Sequence, residues 1–419
     1  MRVLLLTQWF DPEPTFKGLL FARTLREQGH EVKVVTGFPN YPEGKVYPGY
    51  RIRLIQREVI DGIRVLRVPL YPNHGTSALR RVLNYVSFAV AAAVYGTLFT
   101  KRPDVIYVYH PPLTAGLAAA FIAAAKRAPF VYDIQDLWPD TLGATGMIGS
   151  PRLLDMVDKV CRWVYRRAAH IVVLSPGFKK TLIERGVPEA KIDVVYNWCD
   201  EGQLRLEVNP AIAKEPGMDG RFNVVFAGTM GKAQALDAVI EAAKLLEDSH
   251  PLVQFVFVGG GIEVDNLRSL VQQLGVQNVR FLPRRPMSEI GQVLGLADVL
   301  LVHLKDDPLF EITIPSKTQA YLSVGKPVLM AVRGDAAALV TWSGGGVVCE
   351  PENPGSIAEA VKRLVELEPE ELQSMGERGA QFYRAQLSLE AGTRRFIDIF
   401  HHVLARFKPR KKGLDEAGS

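Results

Sequence analysis

The chain has 419 residues, 47% hydrophobic and 23% charged, which fits about two globular domains with large cores. Its three cysteines (Cys161, Cys199, Cys349) lie far apart, which excludes a disulfide framework and a zinc spacing and points to a reducing cytosol. The formal net charge is +5, but residues 1–200 carry 26 Lys+Arg against 17 Asp+Glu, and the remainder 24 against 28. A basic first half is expected to face something anionic. No helix-turn-helix, zinc-finger or aromatic RNA signature is present, so an anionic membrane surface or a phosphorylated lipid is the expected partner, and nucleic acid is not.

In chain order, the opening MRVLLLTQWFD reads as a strand at Val3–Leu6 and not as a signal peptide, because the apolar run is short and Asp11 follows it. Asp11, Lys17 and Gly18 lie after this strand, where open α/β sheets bind ligands, and are the candidate acceptor contacts. A helix is predicted at Leu19–Gln28, closed by Gly29, then a strand at Val32–Thr36. Val82–Phe99 holds no charge and is flanked by Arg80–Arg81 and Lys101–Arg102. It fits a core helix, a helix lying in a membrane interface or, least well, a span, since strands flank it on both sides.

Further strands are predicted at Val105–Tyr109, Phe130–Ile134 and Ile171–Leu174, with a small-residue core helix at Ala115–Ala125. His110 ends the first of these and either touches donor or acceptor or satisfies loop backbone. Asp136 follows the second and either orients the acceptor or serves structure; of its neighbours Asp133 and Asp140, at least one is expected to be a cap or core partner. A linker is expected within Cys199–Asp219, where Asn209, Pro210, Pro216 and Gly217 cluster. The predicted organisation is a first domain over 1–203, a second over 204–385, a helix over 386–407 packing back on the first, and a basic tail over 408–419. Lys408, Arg410, Lys411 and Lys412 of that tail fit a frayed end or attraction to anionic lipid.

The second half repeats the alternation. A strand at Phe222–Ala227 leads into GTMGKAQALDAVIEAAKLL, a glycine-bearing loop followed by a helix with Leu236, Val239, Ile240, Ala243 and Leu246 at helical spacing. Free N–H groups and a positive dipole end there suit a phosphate, and Lys232 adds a cation. The loop is neither a phosphate loop ending in Gly-Lys-Ser/Thr nor G-x-G-x-x-G. Strands follow at Phe255–Val258, Val279–Leu282, Val299–Val302 and Val328–Ala331. Gly259, Gly260 and Gly261 either let a nucleotide approach the backbone or form a plain turn, and Arg284 or Arg285 can border a base. In IPSKTQAYLSVGKPVLM, Pro315 and Ser316 start a helix, with the serine able to cap, and Gly325 ends it. Lys317 sits in the first turn, the wrong end for a lysine unless an anion compensates it. Two lysines beside two helix starts fit a ligand with two phosphates. The whole pattern predicts two Rossmann-like α/β domains with parallel sheets facing an interdomain cleft.

At this point the chain resembles the family 4 glycosyltransferases of the GT-B fold, from end to end. MRVLLLTQWFDPEPTFKG, REQGHEVKVVTG, VVLSPGFKKTLIERGVPEAKIDVVYNWCD, FAGTMGKAQALD, FVGGGIEVDNL, VRFLPRRP, ADVLLVHL and PSKTQAYLSVGKPV occur in the family's order. YDIQDLWPDTL and PSKTQAYL are most similar to the branch that builds bacterial O-antigen and capsule repeat units, which often moves acetamido sugars onto a polyprenyl-pyrophosphate carrier. The resemblance implies a UDP-sugar donor, a lipid-linked acceptor, anomeric retention and no metal or other cofactor. The basic first half, the uncharged segment Val82–Phe99 and the basic tail together predict peripheral attachment to the inner face of the cytoplasmic membrane. The candidate donor contacts are Gly228, Thr229, Gly231, Lys232, Gln234, Gly259, Gly260, Gly261, Arg284, Arg285, Glu311, Pro315, Ser316, Lys317 and Gln319, and Asp136, His110, Lys232 and Lys317 are the candidates for the reacting centre. Departing diphosphate would be stabilised by Lys232, Lys317 and the glycine loop, and would itself take the acceptor proton.

Three departures from the family pattern stand out. Thr229, Met230 and Gly231 follow Gly228 where the family has an arginine, its two glutamates fall on Ile312 and Ala320 with Glu311 and Gln319 beside them, and its paired-glycine turn is reduced to Lys17–Gly18. The nearest acidic pair to the donor loops, Asp306–Asp307, reads as a solvated loop. Two alternatives stay open: a nucleotide-sugar epimerase, which needs a converging acid and base, and a non-catalytic binder of nucleotide sugar or lipid. A dehydrogenase fits less well, because no G-x-G-x-x-G with a following acid occurs.

Overall fold

The computed structural model describes all residues except 76, 111, 145–147, 203, 205–216 and 408–419. Most of the expected linker and the basic tail thus lie outside the described residues. The chain forms two units, one from Met1–Leu174, Lys179–Val195 and the chain from Thr393 onward, the other from Ser175–Phe178 and Tyr196–Gly392. The main crossing falls at Val195/Tyr196, not after residue 203.

In the first unit, eight strands form one sheet: β1 (Arg2–Leu6), β2 (Glu31–Gly37), β3 (Gln56–Ile60), β4 (Ile63–Val68), β5 (Val105–Tyr109), β6 (Phe130–Ile134), β7 (His170–Val173) and β8 (Ile192–Val194). Their order is β3-β4-β2-β1-β5-β6-β7-β8. All neighbours are parallel except β3 and β4. The central strands are valine- and isoleucine-rich because helices cover both faces; all five residues of β5 are buried. Edge strand β3 instead alternates half-buried and exposed residues. It turns into β4 through Asp61 and Gly62, whose φ values of 46° and 76° are those of a two-residue hairpin turn.

Helices α1 (Leu19–Glu27), α2 (Ala78–Phe99) and α3 (Leu113–Lys126) connect these strands. The last helix, Leu389–Arg406, joins the first unit from Thr393, where Phe396 packs on Phe21 and Tyr107 at ring-centroid distances of 5.2 Å each.

The second unit holds β9 (Phe222–Thr229), β10 (Val253–Gly260), β11 (Val279–Leu282), β12 (Val299–His303), β13 (Val328–Ala331) and β14 (Gly346–Val348). Every neighbouring pair in the order β11-β10-β9-β12-β13-β14 is parallel. Strand order reverses at β1/β5 in one sheet and at β9/β12 in the other. The carboxyl ends of strands at such switch points are where open α/β sheets bind ligands.

Candidate active site

At the β9 switch point, two segments distant in sequence come together. β9 runs two residues further than predicted, so Gly228 and Thr229 are its exposed end. The helix Ser316–Val324 is pinned against this end by Tyr321, whose buried hydroxyl accepts from the Ala227 N–H (2.9 Å) and donates to the Ala227 carbonyl (3.2 Å). Lys317 lies four residues earlier, on the same helix face as Tyr321. Its Nζ stands 3.6 Å from the centre of the buried Phe226 ring, and a methyl on Gly228 (φ 144°) would come within 3.1 Å of it. Glycine at 228 therefore leaves the ammonium room.

Lys317 has no hydrogen-bond or ion-pair partner among the described residues. Burial pushes its pKa down to about 7. No side chain caps this helix; its N-cap is Pro315, and the exposed Ser316 is its first residue, so the expected serine cap does not form. An uncapped helix start beside an unpaired, half-buried ammonium is a site arranged for an anion.

Other donor candidates are placed differently from the expectation. Lys232 is exposed, but it opens a three-residue 3-10 turn, Lys232–Gln234, and the following helix begins only at Asp237. The loop N–H groups expected to face a phosphate are already bonded: Met230 donates to the Gly260 carbonyl (2.9 Å) and Gly231 to Gln234 Oε1 (3.0 Å). Gln234 is thus a brace for the loop.

Gly259 and Gly261 are required by neighbouring backbone. Methyl groups there would stand 2.1 Å from the Gly228 carbonyl oxygen and 2.2 Å from that of Met230. Only Gly260 borders open space. Gln319 is 2% exposed, and its amide, oriented by its surroundings, donates to the carbonyls of Pro315 (2.9 Å) and Ser316 (3.1 Å), so it points into its own helix turn. Glu311 is exposed at the end of the short helix Pro308–Glu311. Arg284 is exposed and Arg285 half-buried after β11, the outer strand, with β10 between it and β9. Asp307 caps Leu309 N–H (2.8 Å) and Asp306 pairs with Arg333 (3.1 Å). Among the described residues no group of three or more His, Cys, Asp or Glu is placed to hold a metal ion.

In the first unit, the acceptor candidates after β1 prove to be structural. Lys17 is fully buried and paired with Asp133 at 2.7 Å; Tyr107 OH (2.6 Å) and Gln135 Nε2 (2.6 Å) also donate to that carboxylate. Phe396 covers the ammonium at 5.0 Å. Asp11 accepts from the Leu19 N–H (2.7 Å) at the start of α1, and a methyl on Gly18 would strike that carboxylate at 2.4 Å. Lys17 and Gly18 are buried within the loop, and Asp11 is half-buried at its edge.

Asp136 differs: it is half-buried after β6, has no hydrogen-bond or ion-pair partner among the described residues, and burial raises its pKa. His110 is 2% exposed, stands edge-on to Tyr132 (5.7 Å) and Trp138 (5.6 Å), and leaves Nδ1 without a partner. Burial lowers its pKa to about 3, so the ring is neutral and is no proton donor near pH 7.

Sequence reasoning missed Glu13, 2% exposed, which accepts from the N–H groups of Asn40 (2.7 Å), Tyr41 (2.8 Å) and Phe10 (3.2 Å) and ties the loop after β1 to the loop after β2. Burial pushes its pKa up to about 7, against the pull of those three donors and Arg67. Nothing in its local sequence distinguishes it from an exposed loop acid.

The fold is two Rossmann-like α/β domains with parallel sheets, and Lys317 stands at the switch-point end of β9. Residues 19–198 match the Glycosyl transferase 4-like domain and residues 209–382 match Glycosyl transferases group 1. The chain is a glycosyltransferase of the GT-B fold. The putative colanic acid biosynthesis glycosyl transferase WcaI of Escherichia coli (strain K12) is 27% identical over 381 residues, 87% of this chain and 92% of that protein. The D-inositol 3-phosphate glycosyltransferase of Mycolicibacterium gilvum is 24% identical over 53% of this chain and 48% of its own length. Among solved structures, HepE of Anabaena in complex with UDP superimposes with a TM-score of 0.68 at 16% identity, covering 96% of this chain and 100% of that one. Sucrose-phosphate synthase of Thermosynechococcus elongatus gives 0.69 at 15%, covering 97% and 100%. At such identities the structural likeness speaks for the fold.

Proposed function

We propose that this glycosyltransferase moves a sugar, an N-acetylated amino sugar, from a UDP-sugar to a polyprenyl-pyrophosphate-linked saccharide of a bacterial surface polysaccharide, with anomeric retention. The observation that carries the donor half is Lys317: an unpaired, desolvated ammonium at an uncapped helix start, held beside Gly228 by Tyr321. A diphosphate supplies the charge this position lacks. Lys232, exposed on the adjoining loop, adds a second cation from the solvent side. UDP in the Anabaena neighbour and the colanic acid role in the name of the Escherichia coli relative support this donor and this polymer class.

Two charges at the diphosphate stabilise the departing group as the bond from the anomeric carbon to its oxygen breaks. The acceptor hydroxyl forms the new bond from the same face, and its proton passes to the departing diphosphate oxygen. Asp136 orients the acceptor, since its carboxylate has no partner among the described residues. His110, neutral and buried, carries no proton near pH 7. Titration calorimetry with UDP, UMP and a panel of UDP-sugars tests the donor assignment: UDP is expected to bind much more tightly than UMP, and equal affinities would remove the diphosphate from Lys317.

The two lysines also take the place a divalent cation would fill. Activity is expected to persist in excess EDTA. Full loss in EDTA with recovery on adding Mg²⁺ or Mn²⁺ would overturn the metal-free reading.

A further inference from the structure

α2 decides a question that its sequence leaves open, because it has two unlike sides. One side, with Phe88, Ala92 and Gly96, is buried, and a methyl on Gly96 would come within 2.9 Å of Ile122 in α3. The other carries Leu79, Val82, Val86, Val90, Val94 and Leu98, recurring every three or four residues, with Leu79 79% and Leu98 68% exposed. Eight of the 22 large hydrophobic side chains exposed among the described residues lie on this one helix. A monomeric surface rarely leaves so much contiguous apolar area bare. At 22 residues the stripe is about 33 Å long.

Charge at the two ends of the stripe is basic. The nearest acid in sequence after α2, Asp104, is already paired with Arg2 at 2.8 Å. Arg80 and Arg81 sit at one end of α2 and Lys101 and Arg102 just beyond the other. There, Lys33 donates to the Phe99 carbonyl (2.8 Å) and Arg57 lies over the Phe99 ring (5.5 Å).

Topology excludes a span, although the helix is long and apolar enough to permit one. α2 leaves β4 and returns to β5, and both strands belong to the same hydrogen-bonded sheet. Threading the helix through a bilayer would tear that sheet and strip its buried side from α3.

We propose that α2 lies in the plane of an anionic lipid bilayer, with its apolar stripe at the boundary of headgroups and acyl chains and its flanking arginines and lysines on lipid phosphates. Apolar insertion and electrostatic attraction act together in such helices. The inference stands apart from the donor assignment and is tested without any sugar transfer. Full-length protein is mixed with vesicles of phosphatidylcholine alone or with added phosphatidylglycerol and floated on a density gradient. Flotation is expected with the anionic vesicles, to weaken in high salt, and to fall at least tenfold in the Val86→Glu, Val90→Glu variant with the melting curve unchanged. Both positions are exposed, at 43% and 61%.

A second measurement covers a variant that fails to fold. The native cysteines are buried, so Val90→Cys can take an environment-sensitive dye selectively. Its emission is expected to shift to the blue on anionic vesicles, while dye at Leu245→Cys, exposed in the second unit, does not move. Wild type that stays off anionic vesicles at low salt, a dye at residue 90 that does not respond, or a stable dimer in lipid-free solution that buries the stripe would each overturn the proposal. So would resistance to extraction at alkaline pH, the mark of a span.

Discussion

Lys317→Met is expected to weaken UDP binding roughly ten- to a hundredfold, the loss of about 1.5–3 kcal/mol that a charge-assisted contact supplies. The same variant is expected to melt at a higher temperature than wild type in the absence of ligand. An unpaired half-buried ammonium costs stability, because its pKa of about 7 in the fold lies below the ordinary lysine value of 10.5. The unfolded chain therefore holds the proton more tightly, and the penalty is fully present below pH 7 and relieved as pH rises from 7 towards 10.5. Near pH 7 the gain in the variant is roughly 1–3 kcal/mol once relaxation and water access are allowed for.

The sign for binding is the opposite. Diphosphate binding must return a proton to Lys317 above pH 7, so wild-type affinity for UDP falls as pH rises from 7 to 9, and Lys317→Met loses that slope. Calorimetry in buffers of different ionisation enthalpy reads the proton uptake directly. Unchanged UDP affinity in a folded Lys317→Met protein would refute the assignment.

Lys17→Met is expected to be among the most destabilising single changes in the first unit, by about 3–5 kcal/mol, because it strands a carboxylate in the core. Lys17 and Asp133 are both wholly buried, and Tyr107 and Gln135 donate to the same carboxylate. Converting Asp133 to Asn in the Lys17→Met background is expected to recover much of the loss, since the amide oxygen still accepts from Tyr107 and no buried charge is left behind. Urea melts of the single and double variants measure this. A loss below about 1 kcal/mol in Lys17→Met would mean that the pair is not the anchor of the loop after β1.

The fold was legible in the sequence because its central strands are buried on both faces, and such strands announce themselves as unbroken apolar runs. Val105–Tyr109 and Phe130–Ile134 match the observed strands residue for residue. The β3–β4 hairpin escaped notice because β3 is a half-exposed edge strand, although Asp61–Gly62 is a strong turn signal. Lys317 stood out in the sequence as a cation at the wrong end of a helix, and the structure places it beside Gly228 at the end of β9. What could not be read was which polar groups the fold consumes internally. Gln319, Gln234 and Lys17 look like site residues when read along the chain. Gln319 and Gln234 are taken up by local backbone, at Pro315 and Gly231, and Lys17 by Asp133, a partner that only the tertiary fold supplies. The glycines after β10 carried a similar ambiguity, and the crowding carbonyls of Gly228 and Met230 resolve it in favour of strand packing. For α2, periodicity could not separate a core helix from an interfacial one, because this helix presents a buried side and an exposed apolar side at once.

The central claim is tested most directly by following UDP release and product configuration together. Purified protein is incubated with UDP-hexoses and UDP-N-acetylhexosamines, with and without a polyprenyl-pyrophosphate-linked sugar. UDP is quantified, and the new linkage is read by NMR. UDP release is expected from one N-acetylated donor only when the lipid acceptor is present, with one UDP for each linkage formed and a product that keeps the anomeric configuration of the donor. Tight donor binding with no acceptor-dependent release of UDP, or a product of inverted configuration, would contradict it.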